Sequence, residues 1–137
     1  MAEEIRILDY FYIEVPDKPG EGARVLAQLK EAGVNLIAFS GFPHGRRAQL
    51  DFFPADPAAF RAVAKKARWK VVGPKKGFLI DGQDRVGAMA DLVGRLAAAK
   101  INVTAVDALC AGAGRYGAIL WVKAGDVKRT AKLLGVG

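Results

Sequence analysis

The sequence predicts an α+β protein made of two βαββαβ modules in tandem, with antiparallel sheets and the helices on one sheet face. Three observations lead there. The chain repeats itself at an offset of 67 residues, the separation of Gly20 from Gly87. Each repeat passes from period-two alternation to helical spacing and back, in the order of that supersecondary unit. The composition, 52% hydrophobic and 26% charged, belongs to a folded protein rather than a disordered one.

The repeat holds residue by residue. Asp17 falls on Asp84, Ala23 on Ala90, Leu29 on Leu96, Asn35 on Asn102 and Ala38 on Ala105, while Val34 meets Ile101 and Leu36 meets Val103. In the first copy, Phe11, Ile13 and Val15 alternate with Tyr12 and Glu14, as in a half-buried strand. The turn Asp17-Lys18-Pro19-Gly20 follows, with Asp17 placed to cap a helix and Pro19 to preset its first turn. Val25, Leu26 and Leu29 recur at helical spacing, and Gly33 suits the left-handed residue that ends a helix. Residues 34–39 read as the second strand, 40–47 as a hairpin loop and 49–53 as the third strand. Asp56-Pro57 signals a second helix start, with Phe60, Val63, Ala64 and Ala67 on one stripe, and residues 69–72 read as a closing strand.

The second copy follows the same plan from Phe78. A strand leads to the Asp84 turn and to a helix using Met89, Leu92, Val93 and Leu96. Residues 101–106 and 118–122 read as strands around a hairpin containing Gly112 and Gly114, and 126–134 as a helix. The topology is ferredoxin-like in each module. Most of the second module's last strand is missing, because Gly137 aligns with Lys70. Residues 73–77 are the expected junction, giving modules 1–73 and 74–137.

Asp17-Lys18-Pro19-Gly20, an amphipathic helix and then Gly33-Val34-Asn35-Leu36 with a strand resemble the first half of an ACT domain. Asp84-Arg85-Val86-Gly87-Ala88-Met89 leading to Lys100-Ile101-Asn102-Val103 resembles it again, with Val86 where that family often has proline. The resemblance runs from about Tyr10 to Gly137. It implies regulatory modules that bind amino acids or similar small ligands, often where two modules meet. A metabolic enzyme regulated in trans is a candidate partner, and residues 118–122, apolar on both strand faces where a sheet covered on one side should alternate, predict a homo-oligomer, most simply a twofold dimer.

The residues support such a site on their own chemistry. A glycine-bearing turn feeding a helix N-terminus presents unpaired N–H groups and the positive end of the helix dipole to a carboxylate. The expected contacts are Asp17, Lys18, Pro19, Gly20, Glu21, Gly22, Asn35 and Leu36. Their second-copy counterparts are Asp84, Val86, Gly87, Ala88, Met89, Asn102 and Val103. Each asparagine offers both a donor and an acceptor. The carboxylate is expected on the amides of Gly20 to Gly22, with the ammonium beside Asn35 or Asp17. The first turn is the better candidate, since Gly22 is bare where the second copy has Met89.

Other classes fit less well. One cysteine, Cys110, and one histidine, His44, give neither a disulfide framework nor zinc-ligand spacing, so neither metal nor cofactor is expected. Both residues fall in the predicted hairpins of different modules, which argues against a catalytic pair and for a protein that is not an enzyme. The net charge of +7 would attract anions, but the basic residues are dispersed as on solvated helix faces and turns. RNA-binding modules of the same strand order stack bases on sheet aromatics. Here Gln49-Leu50-Asp51-Phe52-Phe53 and Ala118-Ile119-Leu120-Trp121 lack that signature. An interaction module with degenerate ligand sites is a further alternative. An acidic start without a secretory pattern, and no apolar run of bilayer length, lead to the expectation of a cytoplasmic protein. The apolar run 118–122 implies a partner surface, and residues 4–8 are the spare strand best suited to complete the second sheet.

Overall fold

Alternation along the first strand sends Phe11, Ile13 and Val15 to one face, where two helices cover them. The structure is a computed structural model describing residues 3–137. Its elements are β1 (Glu4–Pro16), α1 (Glu21–Glu31), β2 (Leu36–His44), β3 (Arg47–Pro54), α2 (Pro57–Ala67) and β4 (Val72–Gln83), followed by α3 (Ala88–Ala98), β5 (Val103–Gly112), β6 (Arg115–Val122) and α4 (Val127–Leu134). Hydrogen-bonded neighbours follow the order β2-β3-β1-β4-β6-β5. The ladders of β1 with β3, β2 with β3, β4 with β6 and β5 with β6 are antiparallel.

Contacts divide the chain into two units. One is Asp9–Lys75; the other joins Lys76–Gly137 to the N-terminal segment ending at Leu8. In the first, Phe11, Ile13 and Val15 of β1 and Leu50 and Phe52 of β3 meet Val25 and Leu29 of α1 and Phe60 and Ala64 of α2. Phe60 anchors this layer, with ring centroids 4.9 Å from Phe11 and 5.2 Å from Phe52. Helix α2 starts as its sequence demands: Asp56 accepts from the Ala59 amide at 3.2 Å, and Pro57 occupies the first turn.

In the second unit, Phe78 and Ile80 of β4 and Tyr116, Ala118 and Leu120 of β6 pack against Leu92 and Leu96 of α3 and Leu134 of α4. Ile5 and Ile7 pack against this same core. Residues 4–8, the first part of β1, thus belong to the second unit, as the spare-strand expectation had it, and β1 lies beside β4 in the sheet.

Three expectations about boundaries are corrected. The loop expected over 40–47 is only the turn at Gly45 and Arg46, because β2 runs to His44 and pairs Pro43 with Ala48 and His44 with Arg47. Pro43 is tolerated because β2 is an edge strand. The strand expected over 69–72 begins only at Val72. The junction expected over 73–77 does hold the division between the units, which falls between Lys75 and Lys76, but it is part of strand β4 rather than a break between elements. Gly73, read as a linker residue, has φ 132° and approaches β1 so closely that a Cβ would lie 2.8 Å from the Tyr10 carbonyl oxygen.

The repeat is visible in the backbone itself. The left-handed residues after α1 and α3 are Gly33 and Lys100, and those after α2 and α4 are Arg68 and Gly135, each pair separated by the repeat offset. The offset then grows by one within the second hairpin. Phe39 pairs with Phe52 and Val106 with Leu120, and the extra residue is taken up by a register shift between Cys110 and Gly112. Volume is exchanged across the corresponding pairs: Val15 faces Ala48 in one unit, whereas Gly82 faces Tyr116 in the other.

Lys100→Gly should raise stability by about 0.5–1 kcal/mol in urea denaturation, because glycine alone adopts this conformation without a Cβ penalty. Gly82→Ala should lower it by about 1–3 kcal/mol. A Cβ there would lie 2.5 Å from the Tyr116 ring.

Candidate functional site

The two glycine turns have the backbone that the sequence suggested and a different cap. Gly20 (φ 90°) and Gly87 (φ 83°) are the N-caps of α1 and α3, and no side chain caps either helix. Asp17 and Asp84 therefore do not act as helix caps, correcting that expectation. A left-handed glycine at the cap points the preceding residues away from the helix axis, which takes the aspartates out of reach of the first-turn amides. Asp17, Lys18, Pro19 and Gly20 are exposed, and Glu21 and Gly22 are half-buried. Open space surrounds the positions where a Cβ would stand on Gly20 and Gly22. The Glu21 amide donates to the Lys18 carbonyl at 3.4 Å, but no side chain caps the first turn of α1, an arrangement suited to an anion.

The second turn is more occupied. The Asp84 amide donates to the Gly114 carbonyl at 2.9 Å, Arg85 pairs with Asp91 at 2.6 Å, Val86 is fully exposed and Ala88 is buried. Met89 packs against the core of its own unit. Cys110 and His44 lie in strands β5 and β2, not in hairpin loops. A hydrogen bond to Asp84 pushes the Cys110 thiol up. His44 Nδ1 is 2.6 Å from Glu14 Oε2.

The asparagines are not beside the turns of their own repeats. Asn35 is exposed just before β2, where its carbonyl accepts from the Ala55 amide at 2.9 Å, and Leu36 opens the strand half-buried. Pro16, next to the first turn, pairs with Arg47 at the far end of β2, opposite His44. The length of β2, roughly 25 Å, therefore separates the Gly20 turn from Asn35. The same holds for the Asp84 turn and Asn102 with Val103, which stand at opposite ends of β5. One pocket holding a ligand's carboxylate at Gly20 and its ammonium at Asn35 is not formed within a repeat. The helix carries the chain back down the sheet before β2 begins, a separation that spacing alone concealed.

A cleft does exist on the sheet face away from α1 and α2, of about 460 Å³, lined by Tyr12, Glu14, Arg47, Lys70 and Val72. Sequence reasoning passed over these residues, although Tyr12 and Glu14 are the outward positions of the β1 alternation. The same face carries Tyr10 and Phe53, stacked at 5.0 Å, and buried Asp51, whose Oδ1 accepts from Gln49 Nε2 at 2.9 Å. Burial, and then the negative charge of Asp51, push the Tyr10 phenol up to about 12. Burial and the charge of Glu3 also raise Tyr116, whose hydroxyl donates to Glu3 at 3.3 Å.

No family model and no curated protein matches the chain. Among solved structures, protein BT0572 from Bacteroides thetaiotaomicron superposes with a TM-score of 0.83 at 16% identity, covering 96% of this chain and 88% of that one. The regulatory subunit of aspartate kinase from Thermus thermophilus, in its ligand-free form, superposes at 0.67 with 15% identity, over 98% of this chain and 96% of its own. That of Thermus flavus superposes at 0.61 with 18% identity, over 98% and 94%. The chain has the ACT-type fold. None of its helices is long and apolar enough to cross a membrane among the described residues.

Because Tyr10 holds its proton in the folded protein where an unfolded tyrosine would lose it, stability should fall as pH rises from about 10 to about 12. Urea denaturation across that window should show the decline in the wild type and a shallower one in Tyr10→Phe.

Proposed function

We propose that the chain is a regulatory protein made of two ACT-like modules, residues 1–73 and 74–137, that binds an amino acid or a similar small effector and catalyses nothing itself. The observation that carries this reading is the start of α1, where Gly20 and Gly22 leave uncapped amides open to a carboxylate. The regulatory subunits of aspartate kinase that share its fold support the regulatory role. A metabolic enzyme controlled in trans, in the cytoplasm, is the partner this reading implies.

The effector's ammonium then needs an acceptor from outside the repeat, and an asparagine end, Asn35 or Asn102, of a second chain is suited to supply it. A homodimer would also cover an open edge. Strand β5 is ten residues long, exposed along nearly all of it, and carries Val106 and Leu109 at the surface without a proline or lysine to blunt it. The site thus comprises Asp17 to Gly22 with Leu36 and Asn35 in the first copy, and Asp84, Val86 to Met89, Asn102 and Val103 in the second. The first copy is the stronger, because Met89 occupies the position that Gly22 leaves bare.

Calorimetry against the proteinogenic amino acids should find one or a few that bind, and light scattering should find a dimer. Gly22→Val is the discriminating variant. Its position is helical with open space around it, so the fold should keep its stability while binding weakens at least about tenfold. Gly20→Val would be a poorer probe, since φ 90° strains any β-branched residue. Unchanged affinity in Gly22→Val, or no amino acid binding at up to about 10 mM, would overturn the reading.

A further inference from the structure

We infer that the cleft on the helix-free face of the Asp9–Lys75 unit is a separate binding site for a small ligand bearing an oxyanion, a carboxylate or phosphate. Three segments distant in sequence converge there: β1 supplies Tyr12 and Glu14, β3 supplies Arg47, and the approach to β4 supplies Lys70 and Val72. A fourth contribution is Lys75, whose ammonium stands 5.5 Å from the centre of the Tyr12 ring. Two lining cations, Arg47 and Lys70, thus meet one lining carboxylate, with Lys75 over the Tyr12 ring and buried Asp51 across from Tyr12. That carboxylate, Glu14, is engaged by His44 at 2.6 Å, and neither Arg47 nor Lys70 makes a side-chain ion pair among the described residues. Gathering like charges in a concave site is unfavourable unless an anion joins them, and such a site raises the local concentration of anions.

The geometry favours a small oxyanion over a diffuse polyanion. The Arg47 guanidinium donates to the Glu14 carbonyl at 3.1 Å, which holds the planar fork at the cleft while leaving other N–H groups for a ligand. Arg47 and Lys70 can then grip one oxyanion by charge-assisted hydrogen bonds. Tyr12 and Val72 give an apolar wall for its carbon body. The volume, about 460 Å³, is that of a metabolite pocket. This site stands on the face opposite α1 and does not depend on the effector reading of the Gly20 turn.

The test is amide NMR on the full chain, titrated separately with inorganic phosphate and with succinate. Binding of either should shift the resonances of Tyr12, Arg47, Lys70 and Val72, and the responding probe tells which oxyanion is preferred. Arg47→Gln and Lys70→Gln should each weaken that binding about tenfold, while Gly22→Val should leave it unchanged. If neither probe shifts these residues at up to about 10 mM, the inference fails. It fails equally if the shifts survive both cleft variants or vanish in Gly22→Val, since the anion would then sit at the helix turn.

Discussion

Backbone groups along a buried strand must find partners, and that requirement organises this molecule. Strand β4 carries Phe78 and Ile80 into the second core, and among the described residues no strand after α4 lies at its other side. The N-terminal residues take that place. Because they do, Ile5 and Ile7 join the core of the second unit, and β1 extends over 13 residues where β3 and β6 have 8. Strand β4 is correspondingly long at 12 residues, with its first residues assigned to the Asp9–Lys75 unit. The glycine at position 73 serves the same requirement by letting two backbones come close.

The plan of the fold was legible because periodicity and repetition are properties of the chain alone. Phe11, Ile13 and Val15 announce their face by alternation, Asp56-Pro57 announces a helix, and the offset joining Gly20 to Gly87 announces two copies. What stayed hidden depends on partners distant in sequence. Pro43 reads as a loop residue until its strand is known to be an edge, and Gly73-Pro74 reads as a linker until β1 is seen against it. The register shift after Cys110 likewise adds one residue to a hairpin that a gapless alignment treats as equal.

The candidate site was legible in its parts and not in its assembly. The sequence marked Gly20 and Gly87 as the turn glycines that feed α1 and α3, and both are left-handed N-caps. It also placed Asp17 as a cap, which the left-handed glycine prevents, and it set Asn35 beside a turn that lies a whole strand away. Distance along a strand is set by sheet register, and no short motif reports register. The cleft was missed for a related reason: Tyr12, Arg47 and Lys70 come from three separate segments, and only pairing brings them to one place.

The position of residues 4–8 bears on how the protein is made. A ribosome makes this segment well before the core that receives it, which contains Phe78, Leu96, Leu120 and Leu134. Residues far apart in the sequence must therefore meet before either the second core or the full length of β1 is secured. Contacts of such sequence separation slow folding, because the entropy of closing the loop is lost before the contacts repay it. The Asp9–Lys75 unit can gather its helices and hairpin while synthesis continues, but its own leading strand ends in a segment that belongs elsewhere. Synthesis of α4, rather than completion of the first repeat, is thus what lets Ile5 and Ile7 find their whole core.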